Sequence, residues 1–159
     1  MIFVTVGTSS WDFSRLLKEM DNIAGKIDEE VIMQISNIKY KPRNAKYFRF
    51  NSKEEIERLY KNARVVVIHA GVGSIISALR HSKVIIVVPR RKEYGELFDN
   101  HQLDIAKELE RDSIIKVVWD LEKLETILKN SENCSPYSPK NNKLIYELRY
   151  FINNIYKSD

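Results

Sequence analysis

The residues best suited to chemistry are His69-Ala70-Gly71-Val72-Gly73-Ser74. They follow the β-branched run Val65-Val66-Val67-Ile68 and precede apolar Ile75, Ile76, Ala78 and Leu79. Such a run reads as a strand buried on both faces, and the apolar spacing after it as the inner side of a helix. Glycines at 71 and 73 allow a tight turn and let another group come close to the backbone. A helix starting there offers free N–H groups and the positive end of its dipole to an anion, with Ser74 placed to cap it. The chemistry on offer is phosphate binding. The same glycines also fit a plain strand-to-helix turn, because an isolated Gly-x-Gly is a weak signal.

Two phosphate motifs are absent. Ile76 stands where a third glycine would complete Gly-x-Gly-x-x-Gly, and no Gly-Lys-Ser/Thr follows. The turn also lies in mid-chain, whereas the dinucleotide fingerprint belongs to the first strand-to-helix turn. His69, His81 and His101 are scattered and Cys134 is the single cysteine, so no metal site is expected. One cysteine forms no internal disulfide, which fits a cytoplasmic protein. No apolar run approaches the ~20 residues a membrane-spanning helix needs. At 159 residues, 43% hydrophobic and 30% charged, the chain is ordinary globular material for one domain. Its net charge of +4 permits anionic partners without demanding nucleic acid.

The elements that must position this turn can be read in order. Met1 to Val6 is a strand by residue type, and Gly7-Thr8-Ser9-Ser10 is the loop leaving it. A helix is expected from about Asp12, with Phe13, Leu16, Leu17 and Met20 on its buried side and Asp12 in a structural role at its first turn. Val31 to Ile35 is a second strand. The segment 39–53 carries six basic residues, no acid, and interleaved Tyr40, Tyr47, Phe48 and Phe50. It reads as a basic rim around a short strand, Tyr47 to Phe50, whose aromatics enter the core. Ser52 and Glu55 form a capping box for a helix running to Asn62. After the central turn come a strand over Val84 to Val88, a polar loop over 90–102, a helix through Leu103, Ile105, Ala106 and Leu109, a strand over Ile114 to Val118, and a helix marked by Leu121, Leu124, Ile127 and Leu128.

This alternation predicts an α/β fold, a Rossmann-like open parallel sheet, over residues 1–129. A proline-containing linker is expected over 130–142 and an amphipathic helix over 143–157, which either completes the core or docks a partner. Open parallel sheets bind ligands beyond the carboxyl ends of their strands. Gly7-Thr8, His69 to Ser74 and Arg90 to Gln102 all fall at that end.

Taken together, Val4-Thr5-Val6-Gly7-Thr8, His69 to Ile75, Val87-Val88-Pro89-Arg90, Tyr94-Gly95-Glu96 and His101-Gln102 resemble the C-terminal domain of family 28 glycosyltransferases. The resemblance covers roughly residues 1–130 and is closest to stand-alone donor-binding subunits. These serve two-part N-acetylglucosaminyltransferases of lipid-linked oligosaccharide synthesis or bacterial exopolysaccharide transferases, and the Pro-Arg, Tyr-Gly-Glu and His-Gln forms favour the exopolysaccharide branch. It implies the C-terminal half of a GT-B enzyme, with a UDP-sugar as donor substrate, inverting transfer, and neither a metal nor another cofactor. A membrane-associated partner would hold the lipid-linked glycan acceptor, keep the protein peripheral at the cytoplasmic membrane face, and supply the cleft wall that is not expected upstream of a strand starting at Met1.

By the same resemblance Gly71, Val72, Gly73 and Ser74 hold the diphosphate, Gly7 and Thr8 line the neighbouring loop, and His101 and Gln102 face the sugar. His69 either touches the ligand or bonds a loop backbone. Arg90 either neutralises phosphate or is a solvated charge. Glu96 either bonds a sugar hydroxyl or holds Arg90 or Arg91. No catalytic base stands out. Ser77 occupies a position where the family often has a ribose-binding glutamate, and Ser36 one where it usually has glycine. The reading expects no nucleic-acid partner and leaves a homo-oligomer open. Two rival functions are a nucleotide-dependent oxidoreductase, which lacks its fingerprint here, and an RNA-binding module using residues 39–53.

Overall fold

The computed structural model describes residues 1–81, 84–111 and 115–131. The expected helix 143–157 and all but the first two residues of the linker 130–142 lie outside these. Among these described residues lie six strands and five α-helices, alternating except that β3 follows β2 directly: β1 (Ile2–Thr5), α1 (Ser14–Ala24), β2 (Val31–Gln34), β3 (Lys46–Phe48), α2 (Lys53–Asn62), β4 (Val65–Ile68), α3 (Val72–His81), β5 (Val84–Val87), α4 (His101–Arg111), β6 (Lys116–Val117) and α5 (Leu124–Asn130). All pairings are parallel, in the order β3-β2-β1-β4-β5-β6. The expected open parallel α/β sheet is the observed one.

Strand periodicity divides the core in two. Val65 and Val67 point to the side covered by Leu16, Leu17, Met20 and Ile23 of α1 and Leu124 and Leu128 of α5. Val66 and Ile68 point to the side covered by Tyr60 of α2, Ile75, Ala78 and Leu79 of α3, and Ile105, Ala106 and Leu109 of α4. Both faces are therefore apolar, which is why the central strands read as unbroken β-branched runs.

Local chemistry sets the helix ends. The Ser52 hydroxyl accepts from the Glu55 N–H (3.2 Å), the predicted cap of α2. Asp12 accepts from both the N–H (3.1 Å) and the hydroxyl (2.6 Å) of Ser14, which starts α1 two residues later than expected. Asp21 of α1 is buried and holds the loop before β3. Its carboxylate accepts from the Tyr40 hydroxyl (2.7 Å) and from the N–H groups of Arg43 (2.9 Å) and Asn44 (2.7 Å). Burial pushes this carboxyl up, but those hydrogen bonds outweigh it and hold it below the usual range.

Two details differ from the sequence reading. Strand β3 is an edge strand whose Tyr47 is exposed, with Phe50 beyond its end exposed as well. Only Phe48 reaches inward, stacking on Phe3 with ring centroids 6.5 Å apart. An edge strand has one neighbour, so half of its aromatic surface stays uncovered. The last strand is shorter than predicted, Lys116–Val117, and Ile114 lies outside the described residues.

Candidate functional site

The chain runs outward from β1 to β2 and β3, then returns to β4 on the other flank of β1. That reversal opens a crevice beyond the ends of β1 and β4, where open α/β sheets take their ligands. The register Thr5↔Ile68 sets Val6-Gly7 beside His69-Ala70. The crevice floor is hydrogen-bonded: the Thr5 hydroxyl donates to Gln34 Oε1 (2.6 Å) and accepts from the Gly7 N–H (3.0 Å).

The His69 ring fills the space between two glycines. A Cβ on Gly7 would lie 2.6 Å from His69 Cε1, and a Cβ on Gly71 would collide with His69 Nε2. Gly7 also has φ +72°, which an L side chain adopts at a cost. His69 is 8% exposed, and its Nδ1 is buried without a hydrogen-bond partner among the described residues. Burial, reinforced by the positive charge of Arg90, pulls the imidazole down to about 4 against an upward pull from the Thr5 backbone. At neutral pH the ring is uncharged, carries one N–H donor and one acceptor, and lines the cleft.

A cleft of about 550 Å³ joins this floor to α2 and α3, lined by Gly7, Thr8, His69, Gly71, Val72, Gly73 and Ser74 of the predicted set. Helix α3 begins at Val72, with the Ile75 N–H donating to the Gly71 carbonyl (3.0 Å). Ser74 is thus inside the first turn rather than at the cap. Its hydroxyl hydrogen-bonds with Tyr60, whose phenol burial raises to about 12. Beyond its chain neighbours and the backbone of its own helix, Gly73 has no atom within 4 Å of where a Cβ would stand, so that turn is open to an approaching group.

The opposite wall escaped the sequence reading. Lys53, Ile56, Glu57 and Tyr60 project from one face of α2, with Phe50 and Asn51 on the loop before it. Their spacing of three and four residues marks a single helix face, but nothing local says that α3 stands across from it. Phe50 is 52% exposed and offers an aromatic face at the rim. Gln34 and Ser77 complete the polar lining.

Arg90, Glu96, His101 and Gln102 do not line this cleft. Arg90 is 0% exposed, so it is no solvated charge. Its Nη1 donates to the carbonyls of Trp11 (2.8 Å) and Glu96 (3.2 Å), its Nη2 to that of Val6 (2.9 Å), and its guanidinium lies 4.9 Å from the centre of the Phe13 ring. Burial draws its pKa below the usual value, opposed by Glu96 and Asp12.

Glu96 accepts from Arg15 Nε (2.8 Å) and Nη2 (2.9 Å), a bidentate pair the sequence did not announce, and from the Arg91 N–H (3.0 Å). Gln102 turns its Oε1 to the Arg90 N–H (3.1 Å). His101 is exposed, with Nε2 3.5 Å from Asp99 Oδ2. Arg90 ties the loop after β1 to the loop after β5, and Glu96 ties that second loop to α1. The burial of Arg90 has a physical reason: three carbonyls converge where its fork-shaped donor set fits.

The arrangement can seat an anion on the α3 turn beside a neutral histidine, with an aromatic face and one carboxylate on the facing wall. Among the described residues no group of three or more His, Cys, Asp or Glu could hold a metal ion. No helix among them is long and apolar enough to cross a membrane.

Similarity to known proteins agrees with this architecture. The chain is 30% identical over 120 residues to the UDP-N-acetylglucosamine transferase subunit ALG13 of Homo sapiens, covering 70% of this chain and 10% of that protein. It is 34% identical over 110 residues to the subunit of the same name from Kluyveromyces lactis, covering 62% and 52%. The chain thus spans between a tenth and about half of these relatives' lengths. Among solved structures, the glycotransferase of kitacinnamycin superposes with a TM-score of 0.62 at 15% identity over 94% of this chain and 38% of that one. MurG of Acinetobacter baumannii superposes with a TM-score of 0.57 at 16% identity over 82% and 41%. These two share the fold. The family model for the glycosyltransferase family 28 C-terminal domain matches residues 1–152, and the chain belongs to that family.

Proposed function

We propose that this chain is the donor-binding part of a UDP-sugar glycosyltransferase. It transfers the sugar to a lipid-linked glycan held by a membrane-associated partner, in exopolysaccharide or lipid-linked oligosaccharide synthesis. The observation that carries this reading is the open backbone at Gly73 in the first turn of α3, set at the strand-order reversal with His69 packed on Gly71 beside it. Free N–H groups and the helix dipole favour the diphosphate there. The names of the similar subunits make UDP-N-acetylglucosamine the first donor to test.

In this reading the chain's own residues bind and orient. Thr8 and Gly7 border the diphosphate, and the sugar, reaching past the cleft lining, meets His101 and the amide NH2 of Gln102. Arg90 and Glu96 act from behind the site by holding the loops. Transfer is inverting, and the base that takes the acceptor proton comes from the partner side; among the described residues no carboxylate stands at the diphosphate seat. The complex sits at the cytoplasmic face of the membrane through that partner.

The test is binding of UDP and a panel of UDP-sugars to the full chain, with and without a co-expressed membrane partner, for the parent and for Gly73→Val. The site at 73 has room for a side chain, so the variant should fold with unchanged thermal stability within about 1 kcal/mol. Its UDP affinity should fall at least tenfold, because the branched side chain would stand where the diphosphate meets the backbone. Equal affinity of the folded variant and the parent would place the phosphate seat elsewhere.

A further inference from the structure

We infer that Glu57 of α2 recognises the ribose of the bound nucleotide, making the site selective for ribonucleotides over deoxyribonucleotides. This rests on the reading of the cleft as a nucleoside diphosphate site.

Glu57 is the single acidic side chain among the residues that line the cleft. Along the wall from loop to helix the chemistry is ordered: the exposed ring of Phe50, then the ammonium of Lys53, the carboxylate of Glu57, and Tyr60, which reaches Ser74 on the α3 turn. At 1.5 Å of rise per residue, Glu57 lies about 4.5 Å along the axis from Tyr60 and about 6 Å from Lys53. A nucleotide with its diphosphate on the α3 turn and its base toward Phe50 would bring its ribose to the carboxylate between them. A vicinal diol presents two O–H donors, and a carboxylate is the side chain that accepts two hydrogen bonds with a full charge.

The ordinary role for Glu57 would be a surface ion pair with Lys53. At 3.9 Å, with the partners 47% and 83% exposed, that pair contributes little to stability. The carboxylate is therefore free to exchange a loose cation for two hydroxyls. Position 77 across the cleft carries a serine, whose neutral hydroxyl makes a weaker bond, so α2 supplies the charged acceptor that α3 does not.

The experiment is calorimetric titration of the full chain with UDP and with 2′-deoxy-UDP, for the parent, Glu57→Gln and Lys53→Ala. The parent should bind UDP about tenfold more tightly than 2′-deoxy-UDP. Glu57→Gln should bind UDP about tenfold more weakly and 2′-deoxy-UDP, which keeps only the 3′ hydroxyl, no more than about threefold more weakly, removing most of the preference, and Lys53→Ala should keep it. UDP binding with no ribose preference in the parent, or an equal loss of both nucleotides in Glu57→Gln, overturns the assignment while leaving the nucleotide site standing. No UDP binding by the parent overturns the nucleotide site and this assignment together. Both substitutions are at exposed positions, and circular dichroism checks that each variant is folded.

Discussion

The imidazole of His69 occupies the space that a side chain on Gly71 would need, so the glycine turn and the histidine before it are one packing unit. Gly71→Ala should therefore destabilise the protein by about 1–3 kcal/mol, the cost of overpacking a closed site. Adding His69→Ala should restore most of that loss, because the colliding ring is gone. Gly7→Ala should not be rescued in the same way, since its φ of +72° penalises any side chain. Thermal unfolding of the singles and doubles reads this coupling directly. Additive losses at 69 and 71 would contradict it.

Arg90→Met should cost about 3–5 kcal/mol and Arg90→Lys only slightly less. Either change leaves at least one of the Val6, Trp11 and Glu96 carbonyls without its donor in a buried setting. Because these carbonyls belong to the loops after β1 and β5, both variants should also raise amide exchange across residues 6–12 and 91–98. Denaturant unfolding and hydrogen exchange measure the two effects. A loss below about 1 kcal/mol in both variants would show that the buried guanidinium does not brace the loops.

Stability should depend on pH through His69. In the unfolded chain the imidazole titrates near 6.5, and in the folded protein near 4, so between these values the unfolded state binds more protons. The protein should lose up to ~3 kcal/mol as the pH falls from 6.5 to 4, and the His69 contribution should be flat above and below that window. His69→Gln should flatten the profile there while leaving the loss from Asp21, whose carboxyl is held below 3.8, at more acid pH. Denaturant midpoints from pH 3 to 8 would show it. A parent profile no steeper than the variant's between 4 and 6.5 would mean that His69 is not held neutral by burial.

The sequence alone determined the central strands and the inward faces of the helices beside them. Unbroken β-branched runs such as Val65 to Ile68 and Val84 to Val87 state burial on both sides, and the apolar spacing of Leu16, Leu17 and Met20 states which side of α1 is inward. These are local periodicities, set by the geometry of a single strand or helix. The glycine turn was equally legible, because backbone freedom belongs to the residue itself. What the tertiary structure decided was company. Arg90, readable from the sequence as a phosphate partner or as a solvated charge after a strand, is buried, because Val6 and Trp11, some 80 residues earlier, bring their carbonyls to it. Glu96 found Arg15, and the face of α2 carrying Lys53, Glu57 and Tyr60 found α3. Ser36, read as a departure from glycine, adopts φ +50°, the left-handed region that glycine favours, and is held there with its carbonyl on Arg49 (2.8 Å). Each of these depends on the strand order 3-2-1-4-5-6, which brings together loops far apart in the chain. No residue-by-residue pattern encodes that order, since it follows from how the whole set of apolar faces closes over one sheet.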